Sequence, residues 1–308
     1  MTVGRSPLVS VVVPAFNAQA HIATAVDSVL GQTLREFELI VVDDGSSDGT
    51  SATLEAYGGA LRCLRQTNGG VSRARNRGIA ESRGRFVAFL DADDAWRPSK
   101  LEKQVATLLD RPACRACYSA VYLADGRLSV LGEQRSEEGV VQRDNLLIKG
   151  NLVTGSASSV ICERTLLGEV GGFDENLSLC ADWDLWIRLS ARTTFAYVDE
   201  PLTVYRQSAG SMSRNPRLLE QDTLALLHKA FSGPNPPAPR TRVRTLGRQY
   251  LVLSGSYLHA GAYRDALRCI ILSARNDPRQ ALYGLALPSR ALKRRFNRSV
   301  PGKPPGSP

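Results

Sequence analysis

The strongest constraint on how this chain folds is an alternation of continuous apolar runs with amphipathic periodicity, in which each early apolar run stops at a polar cluster. The run at 8–14 leads into Pro14-Ala15-Phe16-Asn17, the run at 37–42 into Asp43-Asp44-Gly45-Ser46, and the run at 85–90 into Asp91-Ala92-Asp93-Asp94. Runs with three or more consecutive apolar residues, rather than an apolar residue at every second position, belong to strands buried on both faces. Between them Ile22, Val26, Val29 and Leu30 recur at helical spacing, with Asn17 near the helix start. A short helix after Asp48, a strand near 61–64 and a helix over 71–80 continue the alternation. This order specifies an α/β fold with a mostly parallel central sheet flanked by helices. In such a sheet ligands bind at the carboxyl ends of the strands, where all three polar clusters fall.

Beyond residue 90 the pattern is mixed. Pro98 suits a first helical position ahead of Leu101, Val105, Leu108 and Leu109, and strands flank the turn Asp125-Gly126. A strand is expected over 156–161, a helix near Arg164, a turn at Gly171-Gly172, a helix over 183–189 and a strand pair at 194–198 and 202–205. The proline-rich segment 232–240 cannot continue a helix and marks the expected domain boundary. After it, Leu246, Tyr250, Leu253 and Tyr257 form one stripe, and Tyr263, Leu267, Ile270 and Ile271 another across Gly261. The expected organisation is therefore a catalytic domain over 1–231, a linker over 232–240, a helical hairpin over 241–288 and a basic, disordered tail over 289–308. The hairpin resembles a single tetratricopeptide unit; a solenoid needs at least about three, so an appended cap is the simpler reading.

The 308 residues are 43% hydrophobic and 22% charged, enough apolar material for a full core. No apolar run approaches the roughly 20 residues that cross a bilayer. The six cysteines are scattered, as in a protein of a reducing cytoplasm, and Cys114-Arg-Ala-Cys117 lacks a second ligand pair for zinc. The net charge of +9 is concentrated at one end: seven basic residues and no acid follow Asp277, leaving +2 for everything before. Arg290, Lys293, Arg294, Arg295 and Arg298 thus form a tail suited to weak contact with an anionic membrane, and no nucleic acid is expected as a partner.

Carboxylates crowded at adjacent strand ends repel one another unless a cation compensates them. A hard divalent ion, Mg2+ or Mn2+, takes oxygen ligands and keeps few carboxylates beside substrate phosphates, which points to a diphosphate-containing substrate. Any one cluster alone is equally a solvated turn; their order along the chain makes the case.

The stretches Val9-Ser-Val-Val-Val-Pro-Ala-Phe-Asn17, Phe37-Glu-Leu-Ile-Val-Val-Asp-Asp-Gly-Ser-Ser-Asp-Gly-Thr50, Asn68-Gly-Gly-Val-Ser-Arg-Ala-Arg-Asn-Arg-Gly78, Phe89-Leu-Asp-Ala-Asp-Asp94 and Asp182-Trp-Asp-Leu-Trp-Ile-Arg188 stand in one order over residues 8–207. In these the chain resembles the family 2 glycosyltransferases, inverting enzymes of the GT-A fold. The resemblance implies transfer of a sugar from a nucleoside-diphosphate sugar, with UDP as the nucleotide, to a hydroxyl of a glycan or lipid-linked acceptor by single displacement. It implies that Pro14, Phe16, Asn17 and Asp44 hold the nucleotide, with Phe16 by the base and Asp44 on the uracil edge. Asn68 and Arg75 would meet the donor, Asp91 and Ala92 lie near the ribose, and Asp93 ligates the metal. Asp182 takes the position of the base that deprotonates the acceptor. Family members work on lipid-linked and envelope glycans, which implies a cytoplasmic enzyme at the inner face of the plasma membrane.

Alternatives remain for single residues. Phe16 suits strand-end packing, Arg73, Arg75 and Arg77 a solvated helix face, Asp182 an N-cap, and Trp183 and Trp186 either sugar stacking or anchoring. Asp184 is the rival base. Two departures from the family pattern stand out: Ala181 replaces the usual glutamate before Asp182, and no histidine follows Arg206, leaving Arg206 and Gln207 as that segment's polar groups. The first strand is not followed by G-x-G-x-x-G, which disfavours a dinucleotide-dependent dehydrogenase. A non-catalytic scaffold recruiting partners through its C-terminal helices is the alternative to an enzyme.

Overall fold

The computed structural model describes residues 6–207 and 215–280. The chain divides into one compact unit over Met1–Met212 and a second over Ser213–Pro308.

The first unit runs β1 (Val9–Ala15), α1 (Ile22–Leu30), β2 (Phe37–Asp43), α2 (Thr50–Glu55), β3 (Arg62–Arg65), α3 (Val71–Glu81), β4 (Phe86–Phe89), β5 (Ala95–Trp96) and α4 (Lys100–Asp110). It continues through β6 (Cys114–Ala124), β7 (Val130–Gln134), α5 (Arg143–Lys149), β8 (Ile161–Glu163), α6 (Arg164–Val170), α7 (Ala181–Ser190) and β9 (Thr194–Arg206). The sheet order is β3-β2-β1-β4-β8-β6-β9-β5, with β7 on β6. The half formed by β3, β2, β1 and β4 is parallel, and β6 also runs parallel to β9. β8 is antiparallel to both β4 and β6, β7 to β6, and β5 to β9.

The consecutive apolar residues Val11–Val13, Leu39–Val42 and Phe86–Phe89 are buried on both faces of the sheet. Val9, Val11 and Val13 of β1 pack with Ile22, Val26 and Val29 of α1, while Ile40 and Val42 of β2 meet Ala74 of α3 on the other side. The paired registers Ala15↔Asp43 and Val12↔Phe89 bring three strands to an end along one edge, and with them the three polar clusters.

Several local expectations change. Asn17 does not cap α1; it sits at φ +47, and its Oδ1 accepts from the Ser47 N–H at 2.9 Å. Pro98 precedes the N-cap Ser99 of α4 instead of opening the helix. The segment expected as a strand over 156–161 splits into a 3-10 turn, Ser156–Ser159, and the short β8. Its serines satisfy neighbouring backbone and carboxylate groups with their own hydroxyls, an alternative to the ladder that such residues offer. The expected strand pair is one strand, β9, whose register against β6 passes from Ser119↔Val198 to Ala120↔Pro201, so Asp199 and Glu200 bulge out and interrupt the apolar pattern.

In the second unit α8 (Pro216–Ser232) joins α9 (Pro239–His259) and α10 (Tyr263–Asn276). The helix α8 was not foreseen. The proline-rich segment links α8 to α9 within this unit, so the division falls near residue 212 instead of at 232–240. Pro239 opens α9, where its missing N–H is no loss. The inward face of α10 is Ala266, Cys269 and Ser273, against Leu253 and Tyr257 of α9; of the expected stripe Tyr263, Leu267, Ile270 and Ile271, Ile270 is half-buried and the other three face out. Small residues let the two helices approach closely. A bidentate pair from Arg268 to Glu220 of α8, which also accepts from the Tyr257 hydroxyl, fixes the rotation. Residues 281–308, including the end of the expected hairpin and the basic tail, lie outside the described residues.

No described helix is long and apolar enough to cross a membrane. Cys114 and Cys117 are free thiols; burial pushes that of Cys117 up to about 12, against redox or metal use.

Candidate active site

Where β1 and β2 end, a cavity of about 430 Å³ opens, lined by Pro14, Phe16, Asp44, Asn68, the Gly69-Gly70 turn and, from the far side, Glu175, Leu177 and Ser178. Its size suits a small ligand. Phe16 stands at this cavity 51% exposed, an unusual state for a large aromatic side chain.

Asp44, at the end of β2, is 3% exposed and shapes the opposite wall. Its Oδ1 accepts from Gln66 Nε2 at 2.7 Å and from the Gly69 N–H at 2.9 Å, and its Oδ2 from the Gly70 N–H at 2.8 Å. Gly70 is the residue before α3, so this carboxylate ties the donor-loop candidate to the strand. A carboxylate has about four lone-pair sites, so Asp44 retains acceptor capacity toward the cavity. Gly45 makes this approach possible: its φ is +78, and a Cβ there would lie 2.9 Å from the Asn68 nitrogen. The preceding Asp43 turns away. Burial works against its charge, but hydrogen bonds from Ser46 and Ser51 together with Arg65 hold its carboxyl below the ordinary range.

At the end of β4, Asp91, Ala92 and Asp93 are half-buried and Asp94 is buried. Arg75 of α3 donates to Asp91 Oδ1 at 2.5 Å and stacks its guanidinium 5.1 Å from the Phe173 ring centroid. Arg75 is only 5% exposed, so it is no solvated surface residue, and its Nε has no hydrogen-bond partner among the described residues. Its neighbour Ala74 lines the cavity, so the buried guanidinium contributes positive charge close to that wall. Burial and the neighbouring Asp91 push the Asp93 carboxyl up from its usual range; burial, Asp91 and Asp93 push Asp94 well up. This surplus of negative charge, in oxygen ligands, fits a hard divalent cation at Asp93. Among the described residues no group of three or more His, Cys, Asp or Glu side chains forms a cage, so such an ion would share its shell with substrate oxygens.

Arg206, the last residue of β9, braces this cluster. Arg206 donates from Nε to the Asp93 carbonyl at 2.6 Å, from its backbone N–H to Asp94 Oδ1 at 2.9 Å, and from Nη1 to the Gly126 carbonyl.

Asp182 lies in the first turn of α7, whose N-cap is Cys180, so the N-cap role falls away. Its Oδ1 accepts from the Trp183 N–H at 2.8 Å, and its Oδ2 from Ser156 Oγ at 2.7 Å and Asn151 Nδ2 at 3.1 Å. Burial pushes its carboxyl up; the Ser156 hydrogen bond and Arg75 act in the opposite direction. A carboxylate so raised is a stronger base. The rival Asp184 is clamped by Arg188, with Nε and Nη2 at 2.8 and 2.6 Å from Oδ2. Two positions along a helix turn about 200° apart, so Asp184 points elsewhere. Both tryptophans are anchors: Trp183 donates to the Leu146 carbonyl at 3.0 Å, and Trp186 is fully buried edge-on to Phe195. Ala181, at the position of the departure, is buried.

The 3-10 turn Ser156–Ser159, absent from the sequence-based site, connects these parts. Ser158 Oγ accepts from the Asp91 N–H at 3.0 Å and donates to Asp94 Oδ2 at 2.6 Å, while Ser156 reaches Asp182. The turn is held from behind: Trp96 Nε1 donates to the Ser158 carbonyl and Gln104 Nε2 to the Ser159 carbonyl, each at 2.7 Å. Gln104 in turn accepts from the buried Lys100 ammonium, which lies 4.0 Å from the Trp96 ring centroid. A cluster of small hydroxyl residues, Thr154-Gly-Ser-Ala-Ser-Ser159, was the available signal, but it shares no periodicity with the acidic motifs.

The profile described as Glycosyl transferase family 2 matches residues 10–169. TuaG of Bacillus subtilis, named for teichuronic acid biosynthesis, is 32% identical over 214 residues, 68% of this chain and 82% of that protein. Among solved structures, TarS 1-349 of S. aureus in complex with UDP-GlcNAc superposes with a TM-score of 0.65 at 19% identity, covering 91% of this chain and 87% of the other. The mannosyltransferase PcManGT of Pyrobaculum calidifontis, in complex with GDP-Man and Mn2+, gives 0.61 at 18% identity, covering 94% and 83%. The strand-end clusters stand on the GT-A fold that these neighbours share, and the sequence match spans more than half the chain. On these grounds the chain belongs to glycosyl transferase family 2 and is a glycosyltransferase.

Proposed function

We propose that the protein transfers a sugar from a UDP-sugar to a hydroxyl of a glycan or lipid-linked acceptor in one inverting displacement, with Asp182 as the base. Phe16 stacks on the nucleotide base at the cavity mouth, Asp44 accepts from its N–H edge, and Pro14, Asn17 and Asn68 complete that wall. Asp91 and Ala92 lie along the ribose, and Arg75, paired with Asp91, lends its positive charge to the donor side. A divalent cation, Mg2+ or Mn2+, held at Asp93 supplies charge neutralisation for the departing diphosphate. The acceptor oxygen attacks the anomeric carbon as the bond from that carbon to the diphosphate oxygen breaks. The bonding pair leaves with the nucleoside diphosphate, and the acceptor proton passes to Asp182.

The observation that carries this reading is the Asp182 carboxylate, raised by burial and tied through one turn to the Asp91–Asp94 cluster. The complexes of TarS with UDP-GlcNAc and of PcManGT with GDP-Man and Mn2+ support a metal-assisted nucleotide-sugar donor. The name of TuaG supports an acceptor in cell-envelope polysaccharide assembly, at the cytoplasmic side where nucleotide sugars are made.

The test is nucleoside diphosphate release from a panel of UDP- and GDP-sugars with Mn2+, followed by the anomeric configuration of the product. Inversion with a UDP-sugar, lost on chelation, is the expected result. Retention of configuration would remove the single-displacement reading, and turnover only with GDP-sugars would remove the UDP assignment.

A further inference from the structure

We propose that the outward face of α10 is a docking surface for an anionic lipid bilayer, which seats the C-terminal unit of the protein on the membrane. The inference concerns a different unit from the cavity and does not depend on the donor or the base.

Charge is divided between the two units. Residues 213–308 carry 17 Lys and Arg against four Asp and Glu, whereas residues 1–212 carry 22 against 26. The cationic character is therefore not confined to the last residues; the helical unit shares it.

On α10, Tyr263, Leu267 and Ile271 follow at i, i+4 and i+8 and are 71%, 58% and 45% exposed. Three large apolar side chains in one row on an exposed helix face are unlike singly scattered surface residues. At 100° per residue, Arg264, Arg268 and Arg275 run along one border of that row. Arg268 is engaged with Glu220, but Arg264 and Arg275 form no ion pair among the described residues. The chain then continues beyond Gln280 with six more Lys and Arg and no acid.

An apolar row bordered by cations is the pattern of a helix lying in a membrane interface, with its row in the acyl boundary and its cations at the headgroups. A nucleic acid or an acidic polysaccharide would satisfy the arginines and leave the apolar row against water. A second copy paired two-fold through the same face would cover the row but bring two arginine borders together. The anionic bilayer satisfies both features at once.

The test is co-sedimentation of the full chain with mixed phosphatidylglycerol and phosphatidylcholine vesicles, with pure phosphatidylcholine vesicles for comparison. The expected result is binding at least about tenfold tighter to the anionic vesicles, weakened by salt. L267E/I271E should lower that affinity at least about tenfold, and R264E/R275E should weaken it and flatten its salt dependence. Tyr263→Ser, which shortens the row without adding charge, should weaken binding several-fold, and all three variants should keep the circular dichroism spectrum and donor turnover of the parent. Equal binding of L267E/I271E and the parent would overturn the proposal. So would equal affinity for the uncharged vesicles, or light scattering that shows a dimer converted to a monomer by L267E/I271E. Binding to a DNA duplex with none to vesicles would assign the charge to nucleic acid instead.

Discussion

Ser156 and Ser158 stand two residues apart on one 3-10 turn, and their hydroxyls serve different carboxylates: Ser156 donates to Asp182 Oδ2 at 2.7 Å and Ser158 to Asp94 Oδ2 at 2.6 Å. The base candidate and the Asp91–Asp94 cluster are thereby tied to one another through a single short turn. Preorganisation of this kind matters because a displacement of about 1 Å between nucleophile and leaving group costs roughly a hundredfold in rate.

Replacing Asp182 by Asn keeps the shape of the side chain and removes its capacity to take a proton. Transfer should fall by about 10²–10⁴-fold in kcat, with donor affinity unchanged within about twofold. Asp184→Asn, which weakens the clamp on Arg188, should keep most of the turnover of the folded protein. The comparison of kcat with donor Kd by calorimetry decides: normal turnover in the first variant and loss in the second would transfer the base role to Asp184.

The pH profile should respond to Ser156. Its hydroxyl stabilises the ionised form of Asp182 and so opposes the effect of burial. Ser156→Ala therefore raises the Asp182 carboxyl further, and the acid limb of kcat against pH should move to higher pH, with activity recovering once the carboxyl is ionised. An unmoved acid limb with a uniformly lower rate would mean that Ser156 acts on geometry alone.

Much of this site is legible in the sequence because its carboxylates follow runs whose apolar pattern fixes them as strand ends. Val9 to Val13 and Leu39 to Val42 can only be buried strands, so Asp44 and Asp91 had to meet at one edge. What stayed hidden depends on contacts distant in the chain. The turn carrying Ser156 and Ser158 reads locally as a strand, and it is held as a turn by groups distant in the chain, among them Trp96 and Gln104, more than 50 residues away, and Thr203. The exposed row of α10 was likewise invisible, since Tyr263, Leu267 and Ile271 satisfy the helical period of a buried face and only the rotation set by Arg268 and Glu220 turns them outward.

Metal dependence should be carried by Asp93. Asp93→Asn should lower turnover by at least about a hundredfold and abolish the thermal shift produced by Mn2+ with nucleotide, while the circular dichroism spectrum stays unchanged. Full activity in excess chelator would exclude a divalent ion from the reaction.

Gly45→Ala tests the nucleotide wall. The residue holds φ +78, and a Cβ would press on the Asn68 backbone at 2.9 Å, so the loop from Gln66 to Gly70 must shift. A strained left-handed position costs about 1–2 kcal/mol, and the Asp44 bonds to Gly69 and Gly70 should lengthen. Donor affinity should fall at least about tenfold, while Asp182-dependent steps at saturating donor change little; calorimetric titration with the nucleoside diphosphate gives the readout.

The last expectation concerns the support behind the turn. Lys100 is fully buried, donates to Gln104 at 2.7 Å and faces the Trp96 ring, and burial lowers its ammonium to about 7 from 10.5. The unfolded chain therefore binds the proton more tightly than the folded one between about 7 and 10.5. Over that interval the folded state gains stability as pH rises, and the gain is lost as pH falls toward 7. Lys100→Met removes the titration but leaves Gln104 without its donor, so its effect on stability at a single pH combines two opposed terms. The slope separates them: between pH 7 and 9 the difference in unfolding free energy, wild type minus variant, should grow with pH by about 1.4 kcal/mol per unit at most. Urea unfolding of both proteins across that range measures it, and parallel curves would mean that Lys100 keeps its proton throughout.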